Sequence, residues 1–136
     1  MEKLIFENDI KVFGIEVKTF PSGIDEAFKE LIDKTGDDAG AREYYGISSM
    51  NSNGKIIYKA VAEEKYDDEA KKYTYPESTI EKGEYFFETL KDWKNNTACI
   101  KDIFNEMMKD DRVNKTKPCV EWYKNGEEML CMVKAF

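Results

Sequence analysis

Histidine is absent from all 136 residues. Its absence removes Ser-His and Cys-His nucleophile pairs and any histidine-based zinc site. Catalysis, if there is any, must then rest on carboxylates, tyrosine, lysine or cysteine. Cysteine is scarce. Cys99, Cys119 and Cys131 are an odd number with no Cys-x-x-Cys spacing, and they read as reduced, half-buried small apolar residues of a cytoplasmic protein. No glycine-rich phosphate loop is present. No run approaches the roughly 18 apolar residues of a membrane span, and Met1-Glu2-Lys3-Leu4-Ile5-Phe6-Glu7 has no signal-peptide core, so no membrane association is expected. Basic residues are in deficit, 21 Lys and Arg against 28 Asp and Glu, for a net charge of −7. That balance argues against nucleic-acid binding, which needs a basic footprint, and is compatible with cationic ligands. The run Asp67-Asp68-Glu69 lacks the ligand spacing of a calcium loop and reads as solvated loop. No metal and no cofactor is expected.

What is present is enough to fold. Hydrophobic residues make up 41% and aromatics 13% of the chain, sufficient for a core despite the charge, and the length suits one compact domain spanning residues 1–136. The chain also repeats itself. Asn53-Gly54 and Asn125-Gly126 lie 72 positions apart, each between two apolar runs, which is the strongest short-range hairpin signal. The same shift matches Phe13 to Tyr85, Ile15 to Phe87 and Glu16 to Glu88. It also matches Ala27, Phe28, Leu31 and Ile32 to Cys99, Ile100, Ile103 and Phe104. This is the pattern of a tandem duplication, with pseudo-repeats at about 10–64 and 80–136.

Each unit reads as strand, helix, strand, strand. In the first, an extended run Lys11–Phe20 ends at Pro21-Ser22-Gly23. A helix follows over about Ile24–Lys34 with apolar residues at helical spacing, Ser22 or Asp25 as cap and Gly36 as stop. Tyr44–Asn51 and Lys55–Ala62 form the hairpin. Glu63–Lys72 is charged and aperiodic, and reads as the connector. In the second unit a strand lies at Tyr73–Tyr75 or near Glu84–Lys91. A helix runs over about Asn96–Met108, capped by Asn95, Asn96 or Thr97, and the hairpin is Pro118–Lys124 with Glu127–Phe136. The fold class is α+β, an antiparallel sheet carrying two helices, with a central cleft between duplicated halves.

A two-residue loop at Asn125-Gly126 fixes the register of the last hairpin. Glu121 then faces Leu130, Tyr123 faces Glu128 and Cys119 faces Met132, while Val120, Trp122, Met129, Cys131 and Val133 lie on the other side. Both sides are apolar, so both should be covered, and Glu121 becomes a carboxylate in mid-strand among apolar neighbours. Its counterpart in the first unit is Ser49. If the two halves converge, Tyr58, Tyr123 and Tyr45 line a cleft in which Glu121 breaks the symmetry. Tyrosine faces attract cations, and a buried carboxylate supplies the counter-charge with a raised pKa. The alternative is a glutamate facing water, or one paired with Lys59 or Lys134. Tyr44-Tyr45 and Tyr85-Phe86-Phe87 read as strand core ahead of ligand contact. Trp93 either closes over the cleft or packs on the second helix, and Trp122 belongs to the core.

Three stretches, Tyr45-Gly46-Ile47, Ile80-Glu81-Lys82-Gly83-Glu84-Tyr85 and Pro118-Cys119-Val120-Glu121-Trp122-Tyr123, together with the duplication, resemble the GyrI-like small-molecule-binding domain. This is also called the AraC-type or bacterial transcription activator effector-binding domain. The resemblance spans the whole chain. It implies two strand-helix-strand-strand modules around a cleft, with a ligand-contacting glutamate at Glu121 and aromatic walls. Ser49, Tyr85, Phe87 and Trp93 join Glu121, Tyr123, Tyr58 and Tyr45 as candidate ligand contacts. Members bind diverse, often cationic and lipophilic compounds. Some are sensor halves of multidrug-responsive transcription regulators, some inhibit DNA gyrase, and a subset hydrolyses cyclopropane-containing toxins with the same glutamate. The first module begins near the N-terminus and leaves no room for a helix-turn-helix domain, so a stand-alone form is expected. The expected function is binding or sensing of a small organic, cationic or aromatic ligand. The alternatives are a hydrolase with Glu121 as catalytic base, or a protein that engages gyrase or a regulator.

Overall fold

The computed structural model describes residues 1–36 and 42–136. The strands are β1 (Glu2–Phe6), β2 (Ile10–Glu16), β3 (Tyr44–Met50), β4 (Ile56–Glu63), β5 (Glu77–Ile80), β6 (Gly83–Lys91), β7 (Cys119–Tyr123) and β8 (Glu128–Lys134). The helices are α1 (Ile24–Thr35), α2 (Glu69–Tyr73) and α3 (Ala98–Met107), and a 3₁₀ turn covers Trp93–Asn95. All eight strands join one antiparallel sheet in the order β1-β6-β8-β7-β3-β4-β2-β5. The two units, β2-α1-β3-β4 and β6-α3-β7-β8, meet where β3 pairs β7. The strand before each unit crosses over: β1 pairs β6 of the second unit, and β5 pairs β2 of the first.

Alternation along each strand sorts the side chains onto two faces. Among the described residues, one face carries no helix. Its cluster gathers Val12, Tyr45, Ile47, Val61, Ile80, Tyr85, Val120, Leu130 and Met132, with Leu4 and Phe6 from β1 and Ile10 from β2 packed against it. Leu4 and Phe6 of β1 and Ile80 of β5 come from the two ends of the strand order, so the sheet curls until its edges share a core. The helices cover the other face. On it Phe13, Tyr58, Ala60 and Ala62 pack under α1 through Ala27 and Leu31. Phe86, Met129, Cys131 and Val133 pack under α3 through Met107, Ile100, Ile103 and Phe104. Gly36 stops α1 as its spacing implies, taking φ of 69° and donating its amide to Ile32. Neither long helix takes a side-chain cap at its N-terminus.

The structure corrects four local expectations. The first unit's opening strand ends at Glu16, and of the two places expected for the second unit's opening strand, β6 takes the one near Glu84–Lys91 and not Tyr73–Tyr75. The connector is not all loop: Glu69–Tyr73 is helical, and Glu69 is 1% exposed. Its carboxylate takes both terminal nitrogens of Arg42 at 2.7 Å and the Lys65 amide at 2.7 Å. Such a bidentate pair makes burial of the charge tolerable, and its partners lie too far apart in sequence to be read from local pattern. Third, the described residues hold three helices rather than two, the short α2 being the addition.

The fourth correction decides the site. Both hairpin loops have three residues. The Asn51 amide donates to Lys55 and the Lys124 amide to Glu128, enclosing Ser52–Gly54 and Asn125–Glu127. Gly54 takes φ of 76°, whereas Gly126 is not among the residues at positive φ. This is the three-residue loop with a left-handed last residue in the first case and an Asx turn in the second, where the Asn125 side chain accepts the amides of Glu127 and Glu128 at 2.8 Å. One added loop residue shifts the register by one, so Glu121 faces Cys131, Tyr123 faces Met129 and Trp122 faces Leu130. Leu130 and Met132 therefore leave the Glu121 side, and Met129, Cys131 and Val133 join it.

Candidate functional site

Glu121 lies at the middle of β7, on the helix-covered face, between Tyr58 of the cluster under α1 and Tyr123 of the cluster under α3. It is 7% exposed. Its strand partners are Gly46 on β3 and Cys131 on β8. Tyr58, on β4, is 1% exposed and reaches across β3 to donate its hydroxyl to Glu121 Oε1 at 2.9 Å. Tyr123 lies two residues further along β7 on the same face and donates to the same oxygen. The two hydroxyl oxygens are 3.1 Å apart.

Gly46 makes this crossing possible. A Cβ there would stand 2.1 Å from Tyr58 Oη, 2.7 Å from Tyr58 Cζ and 2.9 Å from Glu121 Oε1. Glycine in a strand interior costs stability, and here the missing side chain is the space through which the tyrosine reaches the carboxylate.

Aromatic rings cover the group. Phe20, from the turn before α1, stacks on Tyr58 at 5.0 Å. Phe28 of α1 and Trp93 of the 3₁₀ turn each meet Tyr123 edge-on at 5.0 Å. Trp93 is fixed by its indole N–H, which donates to the Asn125 carbonyl at 3.0 Å. A cavity of about 70 Å³ lies on the other face, lined in part by Tyr85, Lys117 and Lys134. That holds roughly two water molecules and has no contact with Glu121.

The electrostatics follow from burial. Among the described residues no Lys or Arg forms an ion pair with Glu121. Desolvation pushes its carboxyl above the usual glutamate range, and the hydrogen bonds from Tyr123 and Tyr58 pull part of the way back. Burial first, and the carboxylate second, raise the Tyr58 and Tyr123 hydroxyls, so both stay protonated donors. Burial, helped by Glu121, pushes the Cys119 thiol up to about 11 and the Cys131 thiol to about 12. At neutral pH such raised values favour the thiol over the thiolate and make both poor nucleophiles. Among the described residues no group of three His, Cys, Asp or Glu side chains is placed to hold a metal ion.

The structure thus brings together Glu121, Tyr58, Tyr123 and Trp93. It places Tyr45, Ser49, Tyr85 and Phe87 on the opposite face, which corrects the expectation that they share a cleft with Glu121. Tyr45 packs on Trp122 at 5.7 Å. Tyr85 meets Phe6 at 5.4 Å and donates to the Glu81 carbonyl. Phe87 packs against the helix-free core, and Ser49 is exposed. The reason is the one-residue register shift. Neither Lys59 nor Lys134 pairs with Glu121. Lys59 faces Glu16 and Ile47 across its strands, and the Lys134 ammonium lies over the Tyr85 ring. Sequence does not mark Phe20, Phe28 or Gly46 as site residues. Phe28 reads as helix core and Phe20 as a strand end. A glycine inside an apolar strand was the available sign of a close approach.

No protein-family model matches this sequence, and no curated protein matches it. Solved structures share the fold. An integron cassette protein from the mobile metagenome of Vibrio cholerae superposes with a TM-score of 0.69 at 11% identity, covering 99% of this chain and 95% of its own. The protein SAV2435, bound to tetraphenylphosphonium, gives 0.65 at 15% identity, covering 98% and 94%. A Staphylococcus aureus protein provisionally described as a bacterial transcription regulation protein gives 0.60 at 14% identity, covering 98% and 96%. At such identities the likeness is one of fold.

Proposed function

We propose that this protein binds small organic cations of aromatic or lipophilic character, with Glu121 as the counter-charge. One observation carries the reading: a carboxylate 7% exposed, hydrogen-bonded by two tyrosines and ringed by aromatics, with no cationic partner among the described residues. A buried ion without a counter-ion is costly, and an arriving cation removes that cost. Both hydroxyls engage Oε1, which leaves Oε2 for the ligand, and each ring face adds roughly 0.5–2 kcal/mol of cation–π attraction. Phe28 and Trp93 must swing off Tyr123 to admit it. The tetraphenylphosphonium held by SAV2435, a neighbour in fold, is a ligand of this chemistry and supports the reading, as does the resemblance to effector-binding domains.

The test is calorimetric titration of tetraphenylphosphonium, with neutral triphenylphosphine oxide as control, into wild type and Glu121→Gln. The cation should bind wild type and lose at least about tenfold, roughly 1.4 kcal/mol, in the variant, while the neutral control behaves alike in both. Equal cation affinity in the two proteins would overturn the proposal. The free Oε2 also fits a general base acting on water. Turnover of a cyclopropane- or epoxide-bearing substrate by wild type, abolished in Glu121→Gln, would favour that hydrolytic reading over binding alone.

A further inference from the structure

The two hairpins are related by a local two-fold, and its placement says where a ligand can extend. The loops Ser52–Gly54 and Asn125–Glu127 correspond at an offset of 73, not 72, and Ile47 and Val120, themselves 73 apart, face each other across β3 and β7. The axis passes through that pair. It carries Glu121 onto Ser48, Tyr123 onto Met50 and Met129 onto Ile56, all on the helix-covered face.

The related positions have diverged. Met129 is fully buried, and Tyr123 lies beneath Phe28 and Trp93. Their counterparts stand in the open: Met50 is 68% exposed and Ile56 46% exposed, side by side across β3 and β4. Between this pair and Glu121 lie Ser48 and Cys119, which face each other across β3 and β7 and are both half-buried. A strip of one sheet face therefore runs from a buried carboxylate to two exposed apolar side chains. Gly46, which faces Glu121, and Met50 are four residues apart on β3, roughly 13 Å at about 3.3 Å per residue.

We propose that the ligand is an elongated amphipathic monocation whose charged head meets Glu121 and whose apolar arm lies over Ser48 and Cys119 to reach Met50 and Ile56. This rests on the cation-binding reading above and adds its shape and polarity. The occupant follows from charge at one end of the strip, apolar surface at the other and continuity between them. Burying the arm takes two exposed side chains out of water, so affinity grows with arm length until the arm outruns the strip.

The experiment is a titration series of alkyltrimethylammonium ions with methyl, butyl, hexyl and octyl arms against wild type, Met50→Ser, Ile56→Ser and Glu121→Gln. The two serine variants alter exposed positions at a hairpin end, so folding is retained, and a thermal melt checks this. In wild type, affinity should rise roughly two- to fourfold per methylene. In each serine variant that dependence should fall by half or more, with tetramethylammonium affinity unchanged. A flat dependence in wild type, or one that both serine variants leave intact, overturns the arm placement. The cation site itself still stands if Glu121→Gln weakens tetramethylammonium. If Glu121→Gln weakens no member of the series, the cation-binding reading fails and the arm placement with it.

Discussion

Gly46→Ala tests the geometry at the centre of the site. The new methyl would lie 2.1 Å from Tyr58 Oη and 2.9 Å from Glu121 Oε1. Tyr58 cannot retreat easily: it is 1% exposed and Phe20 stacks on it. Overpacking of this kind costs about 1–3 kcal/mol. Displacing the hydroxyl weakens a hydrogen bond to a buried carboxylate, about 1.5–3 kcal/mol more. The lost freedom of the unfolded chain returns about 0.4–1 kcal/mol. The net expectation is destabilisation by about 2–5 kcal/mol, and for 136 residues each kcal/mol shifts the melting midpoint by about 3.5 °C. Urea unfolding followed by tryptophan fluorescence reads the value directly. The decisive comparison is the double-mutant cycle with Tyr58→Phe, which removes the nearest atom and has already lost the hydrogen bond. Alanine at position 46 should then cost at least about 1 kcal/mol less than in wild type. Costs additive to within about 0.5 kcal/mol, or a Gly46→Ala protein as stable as wild type, would refute the crossing of Tyr58 over β3.

Two further outcomes follow from the buried charges. Arg42→Met strands Glu69, which is 1% exposed, and should destabilise by about 3–5 kcal/mol in urea unfolding at pH 7; a loss below about 1 kcal/mol would mean the pair contributes little. The pH dependence of stability should separate the two glutamates. The Glu69 carboxyl is held low by its hydrogen bonds from Arg42 and the Lys65 amide against the opposing effect of burial, so its contribution is present above the ordinary carboxyl pKa and is lost as pH falls through the folded value. The Glu121 carboxyl is raised by burial, so its effect runs the other way: the protein loses stability as pH rises from the ordinary carboxyl pKa to the raised folded one. Glu121→Gln should therefore gain on wild type across that window and hold the gain above it; a pH-independent difference would show that Glu121 titrates normally.

The repeat, the two hairpin-forming runs of apolar residues in each unit and the two long helices were legible because they rest on short-range pattern. Apolar spacing at Ile24, Ala27, Phe28, Leu31 and Ile32 can be satisfied by a helix, and α1 spans Ile24–Thr35. That Glu121 sits in mid-strand between apolar residues was equally local. Its register was not. Asn-Gly occurs in both loops, yet at the second and third positions of one and the first and second of the other, and that single residue moved Ser49, Tyr45, Tyr85 and Phe87 away from the carboxylate.

The sequence by itself determined the alternation, the helical periodicity and the mid-strand position of one carboxylate, since each depends only on neighbours along the chain. Only the tertiary structure decided which face the helices cover, that Tyr58 reaches Glu121 across Gly46, that Phe20, Phe28 and Trp93 close over them, and that Arg42 neutralises Glu69. These depend on which strands lie side by side and on loop geometry at the level of one residue. Side chains alternate with period two, so an error of one residue exchanges the faces completely, and no pattern within a single strand can tell the two apart.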